Sequence, residues 1–249
     1  MVRLVFLPVE EGLRHLIPRL HAKKSRQSAS DVAQLYRVIV KTYLLLSILL
    51  TTFGPLYAKT VMSLLLGKMW SEETEAPEML ALFCYVLPLI GLNGTTEAFW
   101  QSVAPPDAFR RWSRDLLWLF ALYAILTGLL LQSSVFSASA GLMLSLGLNA
   151  GIRCVYCTYQ LYMHLKGVYN VHLLDASLHI HMPRYILLAL LSRRLLLPFT
   201  TPFDAGQILS SLLLGALCGC TLLATMFAFY KSLCPLCFVI NVINEQVLP

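Results

Sequence analysis

Two pairs of polar side chains lie within long apolar stretches of this sequence. Asn93 and Glu97 are four residues apart, and so are Asn149 and Arg153. Residues four apart share one face of a helix, so each pair would form a polar stripe. Charged groups at membrane depth face a protein interior or water and are functional candidates. The chemistry that such stripes offer is recognition of a polar group, because arginine presents a planar donor fork that suits phosphate.

Two interpretations of these stripes stay open. In one, Glu97 and Arg153 form an ion pair that only locks two helices, or both side chains reach water at the membrane boundary. In the other, both line a central cavity and contact a polar head group. Glu10, Glu11 and Arg14 form a third polar group, which a solvated surface explains equally well.

The remaining chemistry-bearing residues do not predict catalysis or a metal site. Two Cys-x-x-Cys pairs each resemble half of a zinc site, Cys154 with Cys157 and Cys234 with Cys237. We interpret them as buried thiols that act as small apolar side chains. Three histidines fall in a polar loop, where we expect solvated imidazoles: His172, His179 and His181. The sequence has no Gly-x-Ser-x-Gly elbow and no His-Glu-x-x-His motif, so we expect no enzyme, no cofactor and no metal.

The elements that position these residues must be membrane helices. Of 249 residues, 57% are hydrophobic and 13% charged, where soluble domains average about 45 to 50% and about 25%. The apolar residues come in runs near 20 long, the length that crosses roughly 30 Å of hydrocarbon. We therefore predict an all-α, polytopic membrane bundle of about six transmembrane helices.

The six predicted spans follow one another through most of the chain. They cover residues 38–66, 79–103, 115–132, 138–163, 183–200 and 206–230. We divide the chain into residues 1–37, a cytosolic helix end with a basic loop, and a transmembrane domain, 38–249. The apolar piece Leu4 to Pro8 is too short to span and is interpreted as the end of a helix that begins before Met1.

Charge in the loops predicts the orientation. The formal net charge is +6, and positively charged short loops stay in the cytosol. Basic residues precede the first predicted span, separate the second from the third and flank the link after the fourth, whereas the alternate loops are acidic or nearly uncharged. We therefore expect both termini in the cytosol. The basic residues lack an aromatic RNA motif or zinc-finger spacing, so no nucleic acid partner is expected.

Short links predict which helices are neighbours. The residues between spans three and four and between spans five and six are few, so each pair should lie side by side and antiparallel. Gly141, Gly147 and Gly151 are small residues that allow such helices to pack closely.

Three motifs resemble those of a known family. Arg3 to Glu11 reads RLVFLPVEE, Thr52 to Tyr57 reads TFGPLY, and Leu92 to Glu97 reads LNGTTE. Their order and content are similar to the Rft-type proteins linked to translocation of dolichol-linked oligosaccharide, within the multidrug/oligosaccharidyl-lipid/polysaccharide exporter superfamily. The dispersed Asn149 and Arg153 agree with that family as well.

The resemblance implies a fold and a set of binding residues. The family fold has two six-helix bundles around a central cavity with extra C-terminal helices, and this chain resembles the C-terminal half, without the first bundle. Residues carried over as substrate-binding candidates are Arg3, Glu10, Glu11, Asn93, Glu97, Asn149 and Arg153.

The resemblance also implies a function. We expect movement of the pentamannosyl diphosphodolichol intermediate from the cytosolic to the lumenal leaflet of the endoplasmic reticulum, for protein N-glycosylation. A supporting role in glycolipid assembly without transport, a cation-coupled exporter of small molecules and a membrane-embedded lipid-modifying enzyme are the alternatives. The expected partners are the lipid bilayer and the dolichol-linked oligosaccharide, and the oligomeric state stays open.

Overall fold

The computed structural model describes residues 2–132 and 137–173, with short helical pieces at 186–187, 190–191, 193–194, 213, 215–221 and 224. Six helices fill the two long segments, and the described residues contain no strand. They are α1 (Val2–His21), α2 (Arg26–Leu66), α3 (Lys68–Glu72), α4 (Ala76–Val103), α5 (Pro106–Gln132) and α6 (Ala138–Tyr169). The predicted all-α class is confirmed.

Four of these helices are long and apolar enough to cross a membrane. They are α2, α4, α5 and α6, and they contain the first four predicted spans. The other two predicted spans, 183–200 and 206–230, lie almost entirely outside the described residues.

The helices extend beyond the predicted spans. α2 has 41 residues, about 60 Å at 1.5 Å per residue, which is about twice the thickness of the hydrocarbon layer. It begins at Arg26 rather than near residue 38, and α6 ends at Tyr169 rather than at 163. Hydropathy marks only the segment that lipid surrounds, whereas backbone hydrogen bonds continue the helix into polar sequence.

Most of the stretch that we expected to be a basic loop is helical as well. α1 runs to His21, so only residues 22–25 separate it from α2. Leu13, Ile17 and Leu20 are 5%, 0% and 6% exposed, and their spacing gives α1 one apolar face. This face is buried against other parts of the protein. Its burial stabilises the segment as a helix although the segment contains many charged residues.

The described residues form two compact units. Residues up to Tyr43 and from Val86 to 173 belong to one, and Leu44–Tyr85 with the pieces beyond residue 185 belong to the other. The interior of the first unit contains the fully buried side chains Ile17, Val32, Phe99, Leu161 and Leu165. All of the predicted polar residues lie in this first unit.

Close packing joins α5 to α6, as their short link predicts. A Cβ atom on Gly141 would lie 3.1 Å from the carbonyl oxygen of Leu130, so the two backbones approach closely there. Gly147 faces Val86 at 3.5 Å, whereas a Cβ on Gly151 would meet nothing within 4 Å. Packing therefore explains Gly141 and Gly147, whereas among the described residues Gly151 has no such neighbour, and its role in packing stays a prediction.

Candidate functional site

An ion pair between α4 and α6 forms the centre of the site. The Arg153 Nη2 atom contacts the Glu97 carboxylate, and the two side chains are 28% and 12% exposed. Opposite charges removed from water persist only when they are paired. Each of the two polar stripes thus supplies one member of the pair.

The sequence around Glu97 satisfies its own hydroxyl groups. Thr95 Oγ1 donates to the Leu92 carbonyl at 2.9 Å, and Thr96 Oγ1 donates to the Asn93 carbonyl at 3.0 Å. Both threonines are 1% exposed. Bonds of this kind within one helix let hydroxyls lie in an apolar interior. Glu97 is therefore the group on this turn that needs a partner from another helix.

Helix α1 contacts the same stripe of α4 at two levels. The Glu10 carboxylate lies against Gly94, where any side chain would overlap it. Further along, Arg14 Nη1 donates to Gln101 Oε1 at 2.5 Å, and Arg14 Nε lies 3.9 Å from Glu11 Oε1. The first family motif is thereby packed directly on the third.

Helix α2 contributes a third contact. Thr158 Oγ1 donates to the Cys154 carbonyl at 2.8 Å, so the Tyr36 hydroxyl, 2.7 Å away, donates to Thr158. The Tyr36 ring also meets Phe99 edge to face, with ring centroids 5.1 Å apart. These contacts fix α2 against α4 and α6 beside the ion pair.

Aromatic and imidazole rings close the end of the site at which α1 and α6 finish. The His21 Nε2 atom lies 3.3 Å from the Tyr169 hydroxyl, and the two rings meet edge to face. The His164 ring lies between Trp100 and Tyr169. Burial, helped by nearby His164 and Lys24, lowers the pKa of His21 from its usual value of 6.5.

Several buried polar atoms of the site keep unused hydrogen-bonding capacity. Asn93 Oδ1, Trp100 Nε1 and Arg153 Nε make no hydrogen bond with any described residue. Buried polar atoms in folded proteins are nearly always bonded. The site therefore offers both donors and an acceptor to a polar group.

The predicted site residues divide into three sets. The structure brings Glu10, Glu97 and Arg153 into the contacts described above, with Asn93 on the same stripe. Glu11 is exposed, and Asn149 is half-buried one turn before Arg153. Arg3 lies in α1, but its side chain is outside the described part. Their roles in substrate binding stay predictions.

Sequence reasoning missed several members of the site. Gln101 continues the four-residue spacing of Asn93 and Glu97, so the stripe could have been extended to it. Tyr36, Thr158, Trp100 and His164 give no comparable signal, because their partners are far away in sequence.

The second family motif lies in the second unit. A Cβ on Gly54 would overlap the Cys84 side chain, so this glycine allows α2 and α4 to approach. Phe53 and Tyr57 line an apolar cavity of about 370 Å³. Its other lining residues are Leu49, Gly215, Ala216, Gly219 and Cys220.

The fold and the site together define a multi-pass α-helical membrane protein with charged groups paired among its helices. The chain matches the family described as Rft protein over residues 1–238, and it belongs to that family. No solved structure matches it.

Curated relatives carry the name Man(5)GlcNAc(2)-PP-dolichol translocation protein RFT1. The protein of Eremothecium gossypii is 30% identical over 170 residues, which cover 68% of this chain and 30% of the relative. Those of Saccharomyces cerevisiae and Kluyveromyces lactis are 29% and 31% identical over 157 residues, 63% of this chain and 27% and 28% of the relatives. The matched region thus spans less than a third of each relative.

Proposed function

We propose that this chain is part of a transporter that moves a dolichol-linked oligosaccharide across the endoplasmic reticulum membrane. The cargo is the pentamannosyl diphosphodolichol intermediate, and it moves from the cytosolic to the lumenal leaflet for protein N-glycosylation. The chain acts without catalysing bond chemistry. The names of the relatives support this assignment. The ion pair between Glu97 and Arg153 is the observation from which we assign binding to particular residues.

The ion pair supports recognition of a diphosphate. Arg153 uses one side of its guanidinium on Glu97 and keeps Nε available. A diphosphate is a stronger partner for that fork than a single carboxylate, because charge-assisted bonds from arginine to phosphate form in pairs. Glu97 thus keeps the empty site neutral, and the cargo displaces it.

The apolar cavity beside Phe53 and Tyr57 supports binding of the lipid tail. Its lining residues offer carbon surface and small glycines, which suit an isoprenoid chain.

Reconstitution tests the proposal. The full-length protein is placed in vesicles with a fluorescent dolichol-linked oligosaccharide, and head-group accessibility to an external probe is followed. We expect wild-type protein to expose the inner pool and Arg153→Gln to slow this at least tenfold, since one good arginine contact is worth about 1.5 to 3 kcal/mol. Arg26→Gln is the matched control, because Arg26 is an exposed arginine outside the site.

The alternatives predict other outcomes of the same assay. A supporting role in glycolipid assembly predicts an unchanged leaflet distribution with wild-type protein, together with loss of glycolipid synthesis in cells that lack it. A cation-coupled exporter predicts that Glu97→Gln abolishes transport driven by a proton gradient.

A further inference from the structure

Three arginines form an exposed cluster on the first turns of α5. Arg110, Arg111 and Arg114 all point away from the protein, and Arg114 is 69% exposed. We call these three residues the α5 arginine cluster. The proposed transport site does not include them. The rule that cytosolic loops are positively charged explains their charge, but it does not explain the exposed aromatic side chains beside them.

Two acids lie near the cluster, Asp107 in the first turn of α5 and Asp115 next to Arg114. Asp115 Oδ2 accepts a hydrogen bond from the Tyr156 hydroxyl at 2.7 Å, and Asp115 Oδ1 lies 3.8 Å from Arg114 Nε. In the described part of the chain, the side chains of Arg110 and Arg111 make no hydrogen bond and no ion pair. The cluster therefore presents guanidinium groups that are free to bind an anion.

The surface next to the cluster is apolar and aromatic. Leu117 and Trp118 are 70% and 73% exposed, and Phe109 is 41% exposed. Trp118 lies one helical turn beyond Arg114 on the same face. The most apolar window of α5 has no buried residue, so this face meets lipid. Tryptophan favours the membrane interface, which puts the arginines one to two turns further out, at the depth of the head groups.

We propose that the α5 arginine cluster, with Phe109 and Trp118, is a binding surface for anionic phospholipid head groups of the adjacent leaflet. Each guanidinium can bind a phosphodiester or carboxylate oxygen through two parallel N–H bonds. The aromatic rings lie against the upper acyl chains. Charge complementarity and continuity with the lipid-facing helix favour a lipid over a protein partner, whose docking would leave the apolar face uncovered.

The test compares bound lipids directly. Purified full chain in mild detergent is mixed with equal amounts of phosphatidylserine and phosphatidylcholine, and the lipids that stay bound are counted by native mass spectrometry. We expect phosphatidylserine to be enriched on the wild type. Replacement of all three arginines by glutamine should lower that enrichment by about fivefold per arginine, the effect expected for a basic residue at an anionic surface.

A matched variant separates this surface from general charge. Lys23→Gln, Lys24→Gln and Arg26→Gln together remove three charges beside the α1–α2 loop, where the part of the chain that the structure describes exposes no large apolar side chain. The enrichment should survive in this control. Equal loss in both triple variants, or no enrichment in the wild type, would overturn the proposal.

Two further arms complete the design. Replacement of the three arginines by lysine keeps the charge and should retain part of the enrichment, which covers the case in which the glutamine variant does not fold. A short-chain isoprenyl diphosphate is added as a competitor. Displacement of phosphatidylserine by an equimolar amount would assign the surface to diphosphate lipids instead and reject the phospholipid proposal.

Discussion

A buried pair of opposite charges controls the energetics of the site at the scale of single residues. Desolvation of Glu97 and Arg153 costs free energy that their mutual attraction roughly offsets. The pair therefore adds little net stability, but each member depends strongly on the other. Such an arrangement holds an arginine ready for an anion without leaving its charge unpaired.

Removal of one member of this pair should destabilise the protein. Glu97→Gln leaves the Arg153 guanidinium without its carboxylate, and we expect a loss of about 3 kcal/mol in the free energy of unfolding. The double variant Glu97→Gln with Arg153→Gln should lose less than the two single variants combined. Denaturant unfolding in detergent, arranged as a double-mutant cycle, measures the difference. Additive losses would contradict the coupling.

The lowered pKa of His21 predicts a pH dependence of stability. In the folded protein the pKa of this imidazole lies below the value of 6.5 that it has in the unfolded chain, so the unfolded chain takes up the proton first as the pH falls. Stability is therefore fully present above pH 6.5 and declines as the pH falls from there through the lower folded pKa, by at most about 1.4 kcal/mol per pH unit.

Unfolding midpoints between pH 8 and pH 5 test this expectation. His21→Gln should flatten the decline, and His15→Gln, which changes an exposed histidine of the same helix, is the matched control. An identical pH profile in wild type and His21→Gln would count against it.

Residue chemistry made part of the site predictable. The four-residue spacing of Asn93 with Glu97 and of Asn149 with Arg153 predicted two stripes, and the possible pairing of Glu97 with Arg153 is confirmed. The contact of Tyr36 with Thr158 was beyond prediction, because it depends on how α2 lies against α6. No sequence spacing encodes that distance.

At the scale of helices, the apolar part of each long helix agrees with the sequence prediction. The polar ends of the helices extend beyond the predicted bounds. Four predicted spans lie within long apolar helices, because lipid requires about 20 apolar residues in sequence. Their polar extensions were not predicted, because outside the hydrocarbon the burial of one face decides whether a helix continues. α1 is the clearest case, since Leu13 and Ile17 anchor a segment with many charges.

Close packing of α5 on α6 gives a prediction at this scale. Gly141→Leu would insert a side chain where a Cβ already lies 3.1 Å from the Leu130 carbonyl oxygen. We expect a loss of about 1 to 3 kcal/mol from overpacking. Gly151→Leu is the matched control on the same helix, because its Cβ meets nothing within 4 Å. Thermal unfolding in detergent compares the two, and equal losses would show that the contact with Leu130 is not the cause.

The orientation of the whole molecule gives a further prediction. We expect the α1–α2 loop at residues 22–25 to face the cytosol and the acidic link at residues 73–75 to face the lumen. A glycosylation sequon inserted in the acidic link should be modified in microsomes, and one inserted at residues 22–25 should not. A gel-mobility shift that an endoglycosidase reverses is the readout. Modification of the sequon at residues 22–25 alone would show that the topology is the opposite of the predicted one.

The class of the whole molecule was accessible from composition, and its family from three short motifs. What the motifs do was not accessible, because each is explained by a partner in another helix. Gly54 accommodates Cys84, and Gly94 accommodates Glu10. A sequence motif contains only one of the two residues that form such a contact, so the motif alone does not reveal the partner.

The contact between Glu10 and Gly94 has a consequence for exchanging segments between homologues. The two positions are 84 residues apart, yet they form a single fitted surface, so a chimera that takes α1 from one species and α4 from another inherits two halves that were never matched. Swaps that carry residues 2–21 and 86–103 together should express and remain monodisperse more often than swaps of either segment alone.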